Sequence, residues 1–174
     1  MSAEPFSLDT NILVYGLDSA AGPRHALAAE IVARAATCDC RLTLQSLSEF
    51  YVVVTRNGVV PKAEAAAQVE DWLVLFPALA PTPAAVRAAV AHASAGRASY
   101  WNALLVATAG EGGCGTVLSE DLADGGQLGS VTIVNPFQGD SLSDVAKKLL
   151  APPTNGEVAM NVFANITPAR ATRG

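Results

Sequence analysis

The sequence predicts an α/β fold, a three-layer α/β/α sandwich around a mostly parallel central sheet. Three observations carry that prediction. Short apolar segments of strand length alternate with longer segments of helical periodicity, the order that parallel β–α–β units require. Half of the residues (51%) are hydrophobic and only 16% are charged, so helices can cover both faces of a sheet. Alanine supplies much of the apolar content, which suits closely packed helices.

Phe6-Ser7-Leu8 reads as a first strand that stops at Asp9, where a helix through Ile12-Leu13-Val14-Tyr15 begins. Gly22-Pro23 breaks the chain, and a helix from Arg24 to Thr37 turns Leu27, Ile31 and Val32 inward. Arg41-Leu42-Thr43-Leu44 alternates polar and apolar residues as a second strand. Ser46-Leu47-Ser48-Glu49 has the form of a capping box, so a helix is expected over Phe50 to Thr55, ending at Asn57-Gly58. Pro61 at a first helical position opens a helix through Trp72 to Phe76, followed by a short third strand at Leu79-Ala80. Ala84 to Ala95 is helical, and Ser99 caps a helix over Tyr100 to Ala109 that ends among glycines. Thr116-Val117-Leu118 and Val131-Thr132-Ile133-Val134 are strands, the first ending in Ser119-Glu120-Asp121. Beyond Phe137 the pattern changes. The expected division is a domain over 1–137 and an appendage over 138–174, a helix from Ser141 to Leu150 capped by Ser141, then a flexible polar tail from Pro152.

The 174 residues sum to a net charge of −5, with a pI of about 4.9. A generally basic nucleic-acid-binding module is excluded, while a local basic rim is not. No basic leader precedes an apolar run at the N-terminus, and no stretch approaches 18 uninterrupted apolar residues, so neither a signal peptide nor a membrane span is expected. Cys38, Cys40 and Cys114 are odd in number and lack a nearby histidine to complete a zinc site, so they read as free thiols in a reducing, cytoplasmic setting.

Binding sites in open α/β sheets lie beyond the carboxyl ends of the strands. Asp9 follows the first strand, Asp121 and Asp124 follow the strand at Thr116, and Glu49 and Asn102 open helices at the same end. Each has a plain structural alternative: Asp9 as a helix cap, Glu49 as the partner in a capping box, Asp121 and Asp124 as turn residues. Their recurrence at one end of successive β–α units favours a site. Clustered carboxylates repel unless a cation joins them, and oxygen donors without histidine specify a hard ion, Mg²⁺ or Mn²⁺. Such an ion binds a phosphodiester oxygen and acidifies a water, so the chemistry implied is metal-assisted phosphoryl transfer.

Four words in order, Leu8-Asp9-Thr10-Asn11-Ile12-Leu13-Val14-Tyr15, Ser46-Leu47-Ser48-Glu49-Phe50-Tyr51, Ser99-Tyr100-Trp101-Asn102-Ala103-Leu104-Leu105 and Leu118-Ser119-Glu120-Asp121-Leu122-Ala123-Asp124-Gly125, resemble the PIN-domain ribonucleases, and among them the VapC-type toxins of toxin–antitoxin pairs. The resemblance implies a Mg²⁺- or Mn²⁺-dependent endoribonuclease, a homodimer, and a small antitoxin that silences it. Position by position, it makes Asp9, Glu49 and Asp121 metal-site acids, Asp124 an accessory acid, and Thr10, Asn11 and Ser119 groups that orient carboxylates. It also expects an Asp where this chain has Asn102. An amide oxygen still ligates a metal or holds a water, but it removes one negative charge and cannot accept a proton, which implies weakened or lost cleavage.

Arg56, Lys62 and Arg97 are candidate RNA phosphate contacts, with ordinary solvated charge as the alternative. Trp101 is expected to pack between helix and sheet, with base stacking as its alternative role. His25 and His92 read as surface or packing residues. The helices at Ser46–Thr55 and Pro61–Phe76 carry more apolar residues, Phe50, Trp72 and Phe76 among them, than one sheet face buries, which marks an interface. The resemblance makes that face an antitoxin groove and leaves the helices at Ala84–Ala95 and Ser99–Ala109 for self-association. Two other function classes stand beside the nuclease. One is a non-catalytic binding protein on the same fold, favoured by Asn102. The other is a receiver-like phospho-acceptor domain, which lacks its paired acids after the first strand and its late lysine here.

Overall fold

β1 (Phe6–Leu8) places Phe6 and Leu8 in the main core and ends at Asp9, whose side chain accepts from the Thr10 backbone N–H and so caps α1 (Thr10–Leu17). In this computed structural model residues 4–152 are described; the tail expected from Pro152 otherwise lies outside them. After a short 3₁₀ turn, Pro23 opens α2 (Pro23–Ala35), which packs against α1 through Ala28 and Ile31.

β2 (Leu42–Thr43) leads directly into α3 (Leu44–Arg56). This corrects the expected helix start by six residues. Thr43 is the cap, accepting from the Ser46 backbone N–H at 3.0 Å. Ser46 does not act as a cap, because its hydroxyl is buried between Thr43 Oγ1 and the Leu8 carbonyl. Glu49 is thereby released from the capping-box role and sits in the second turn of α3.

α4 (Lys62–Leu75) follows, with Pro61 as its cap rather than its first residue, and β3 (Ala78–Leu79) pairs parallel with β2. Phe50 and Trp72 meet edge to face at 4.7 Å, and together with Phe76 they are core residues at 4% exposure or less. The expectation that these three aromatics form an open groove is therefore corrected. The surplus apolar surface of α3 and α4 is instead Val52, Leu73, Val74 and Leu75, with Val74 90% exposed.

α5 (Pro83–Ser94) and α6 (Tyr100–Glu111) pack on each other through Ala85, Ala89, Ala103 and Leu104. β4 (Thr116–Leu118), β5 (Gln127–Leu128) and β6 (Val131–Val134) complete a four-stranded sheet of order β1-β4-β6-β5, parallel except for β5. A bridge between Phe6 and Cys40 carries β2 and β3 beyond β1.

Alternation along β4 defines the layers, since successive side chains face opposite sides of a sheet. Leu118 joins Phe6, Leu8 and the helices α1 to α4 on one face. Val117 joins Val131, Ile133 and the α6 residues Leu105, Val106 and Ala109 on the other. A small hairpin of β7 (Phe137–Gln138) and β8 (Ser141–Leu142) precedes α7 (Asp144–Leu149). The cap of α7 is Ser143, and Ser141 lies in β8. Phe137, Leu142, Ala146 and Leu150 close the first core. Among the described residues no helix is long and apolar enough to cross a membrane.

Candidate active site

The sheet delivers Asp9 and Ser119 side by side, because β1 and β4 are parallel neighbours in register at Leu8 and Leu118 and both end there. Ser119 Oγ donates to Asp9 Oδ2 at 2.6 Å and accepts the Asp121 backbone N–H at 3.2 Å. Thr10 joins the third acid: its backbone N–H donates to Asp9 Oδ1 at 2.6 Å and its hydroxyl donates to Glu49 Oε2 at 3.1 Å. Two hydroxyls thus reach two carboxylates, those of Asp9 and Glu49, and Ser119 also holds the backbone of Asp121, so residues from the end of β1, α3 and the segment after β4 are linked. Asn11 Nδ2 adds a longer contact to Asp9 Oδ2, at 3.4 Å.

Asp9 is buried, and its carboxyl is held above its ordinary range, first by loss of water and then by the like charges of Asp121 and Glu49. The bonds from Ser119 and Thr10 oppose that rise. Glu49 is half-buried and Asp121 is exposed, so the group opens outward from Asp9.

The other anticipated residues are placed differently. Asp124 Oδ1 accepts the Asn135 backbone N–H at 2.8 Å, which ties the loop after β4 to the end of β6. Asn102 is in the first turn of α6, where its backbone N–H donates to Ser99 Oγ at 3.2 Å. Arg56, Lys62 and Arg97 are all exposed. Arg56 lies seven residues beyond Glu49 on α3, about 10 Å along the axis on the same face.

Two contributors were not anticipated. Gln45 Nε2 donates both to Glu49 Oε1 at 2.9 Å and to the Trp101 carbonyl at 3.0 Å, joining α3 to the start of α6. Its i,i+4 relation to Glu49 was the available signal, hidden by the misplaced helix start. Arg24 pairs with Glu120 at 2.7 Å, the residue before Asp121, and lies over the Phe137 ring at 4.5 Å. Trp101, expected to pack against the sheet with base stacking as its alternative role, is 60% exposed, which corrects the packing expectation.

The donor set suits a hard divalent cation. Among the described residues no salt bridge reaches Asp9, Glu49 or Asp121. Two amide oxygens beside them, Asn11 Oδ1 and Gln45 Oε1, are buried without a hydrogen-bond partner. The site therefore has more acceptor oxygens than donors, an imbalance that a hydrated cation corrects. Among those residues no three His, Cys, Asp or Glu side chains stand close enough to form a direct cage. Mg²⁺ needs only one or two carboxylates and keeps several waters, so the wider spacing remains compatible with its chemistry.

An α/β/α layering with acids gathered at the ends of β1 and β4 defines the class, and the family model of the PIN domain matches residues 7–123. The chain belongs to the PIN domain family. Its fold is similar to that of the Mycobacterium tuberculosis toxin VapC20, described as cleaving the sarcin-ricin loop, at 16% identity and a TM-score of 0.52 over 67% of this chain and 91% of that one. It is also similar to VapBC2 from Rickettsia felis, bound to a DNA fragment from its promoter, at 12% identity and a TM-score of 0.54 over 74% of this chain and 96% of that one. No curated protein sequence matches the chain.

Proposed function

We propose that this chain is a divalent-metal-dependent endoribonuclease of the toxin type, with cleavage weakened by Asn102. The observation that carries the proposal is the group formed by Asp9, Glu49 and Asp121, tied by Thr10 and Ser119 and without a protein cation among the described residues. Membership of the PIN family displaces the receiver-like reading.

Asp9, Glu49 and Asp121 would hold Mg²⁺ or Mn²⁺, with Asn102 as a neutral fourth group. When bound, the ion supplies charge that binds a phosphodiester oxygen and lowers the pKa of water. Ser119 and Thr10 would fix the orientations of the Asp9 and Glu49 carboxylates by donating to one oxygen of each. The amide of Asn102 positions a water but takes no proton from it. Arg56, Lys62 and Arg97 would bind the flanking phosphates, and Asp124 supports the loop rather than the ion.

A small antitoxin partner is supported by the likeness to VapBC2 and by the exposed Val52, Leu73 and Val74 of α3 and α4. A homodimer and a cytoplasmic location belong to the same reading, as does the division of the chain into 1–137 and 138–174. Asn102 specifically favours a second reading, a binding protein that keeps the fold without the chemistry.

The test is cleavage of several structured RNAs with Mn²⁺ and with chelator. Asn102→Asp is expected to cleave at least about tenfold faster than the parent, equivalent to roughly 1.4 kcal/mol in the barrier. Asp9→Asn in the Asn102→Asp background is expected to be inactive. Absence of cleavage by the parent and by Asn102→Asp alike would decide for the binding protein.

A further inference from the structure

We propose that Arg24 is a positioning residue for the carboxylate site: it anchors the loop that presents Asp121 and ties that loop to the β7–β8 hairpin. This rests on the metal-site reading above and extends it to a residue outside the three acids.

Arg24 is the second residue of α2, in a first turn that holds no acid. A cation there opposes the helix dipole, so local helix chemistry does not account for it. Its side chain instead reaches across the fold. Nε and Nη2 donate to Glu120 Oε1 at 2.8 and 2.7 Å, and Nη1 donates to the Gly139 carbonyl at 3.2 Å. The guanidinium lies 4.5 Å over the ring of Phe137, which is buried and packs beside Tyr15 at 6.2 Å. All three nitrogens and one face of the fork are thus engaged, an arrangement that a lysine cannot reproduce.

The pair with Glu120 holds the turn from which Asp121 projects. Asp121 is exposed, and its backbone N–H donates to Ser119 Oγ, so the turn sets where its carboxylate stands. Ser119 fixes that turn from the buried side and Glu120 from the outer side. The far end of the same loop is held by the same neighbour. Asp124 Oδ1 accepts the Asn135 backbone N–H at 2.8 Å, and Asn135 Oδ1 accepts the Phe137 backbone N–H at 2.9 Å. Contacts from Asp124 through Asn135, Phe137 and Arg24 back to Glu120 therefore close a ring around the loop. Phe137 and Gly139 lie beyond the residues 7–123 that the PIN model matches, and this ring brings the hairpin into the working unit of the chain.

Positioning and plain charge predict opposite signs. Arg24 is a cation near the acids, so by charge alone its loss would strengthen cation binding. By positioning, its loss frees the Asp121 turn and weakens binding. Calorimetric Mn²⁺ titration of the full-length protein, well below the melting temperature of each variant, separates the two. Arg24→Gln is expected to bind Mn²⁺ about tenfold more weakly than the parent. Arg34→Gln, which removes an exposed ion pair with Glu30 on the same helix, is expected to leave the affinity unchanged. Glu120→Ala is expected to weaken binding, and adding Arg24→Gln to it to weaken binding no further, since the two residues act as one unit. In chelator, hydrogen exchange of the peptide carrying Glu120 and Asp121 is expected to quicken in Arg24→Gln, while that of a peptide from α6 does not.

Unchanged Mn²⁺ affinity in Arg24→Gln, whatever its Tm, is the result of a merely structural role; it would overturn the proposal and leave the metal site standing. Tighter binding, an equal loss in Arg34→Gln, unchanged exchange at Asp121, or multiplying losses in the double variant would overturn it as well. If the parent itself binds no Mn²⁺ at millimolar ion, the metal-site reading falls and this proposal falls with it.

Discussion

Asp9 links the strand, the helix and the site: it ends β1, caps α1 and is the most enclosed of the three acids. Burial and the charges of Asp121 and Glu49 hold its carboxyl above the ordinary value of 3.8. The native state without a cation therefore favours the proton. Asp9 stabilises that state fully below its unfolded pKa, and the contribution is lost as pH rises through the folded one. Asp9→Asn should consequently melt higher than the parent at neutral pH in chelator, with the gap closing toward pH 4; calorimetric scans across that range check it. Ser119→Ala removes the 2.6 Å bond to Asp9 and the acceptor for Asp121, so Mn²⁺ affinity should fall about 10- to 100-fold by isothermal titration. These acids were legible in the sequence because each ends a strand or lies near a helix start. Gln45 was not, since its role depends on where α3 begins.

At the scale of the element, α3 explains both a success and an error of sequence reading. Sequence reading places a capping box at Ser46, whereas the cap in the structure is Thr43, and local chemistry alone does not choose between a Thr and a Ser three residues apart. The parallel pairing of β2 with β3 chooses, because it holds Leu42 and Thr43 extended up to the helix start. Thr43→Ala should cost about 1–2 kcal/mol in urea unfolding, while Glu49→Gln, outside any cap, should leave helix stability nearly unchanged. Trp101 was misjudged for a related reason. The sheet and α5 cover α6 from two sides, so its apolar pattern has no single inward face from which an outward residue could be told. The two-residue strands β5, β7 and β8 are too short for alternation to register. The aromatic pair between α3 and α4 is core, and Phe50→Ala should lower stability by about 3–5 kcal/mol.

Across the whole molecule, the layered fold was the most legible property, because the alternation of strand and helix fixes a right-handed, parallel arrangement before any contact is known. The charge of −5 sharpens the functional question, since the proposed RNA substrate would meet an acidic protein at a group of carboxylates. A bound divalent cation resolves that conflict by joining carboxylate to phosphate, so metal binding, folding stability and substrate binding should rise together. At a Mn²⁺ concentration of about 100 times Kd, linkage adds roughly 2.7 kcal/mol, a rise in Tm of about 5–10 °C for a chain of this size. The most direct measurement is a calorimetric Mn²⁺ titration of the parent, Asn102→Asp and Asp9→Asn. The expected result is saturable binding in the parent, tighter in Asn102→Asp and abolished in Asp9→Asn. Equal Mn²⁺ binding in all three, or none at millimolar ion in any of them, would contradict a shared cation site at Asp9, Glu49 and Asp121.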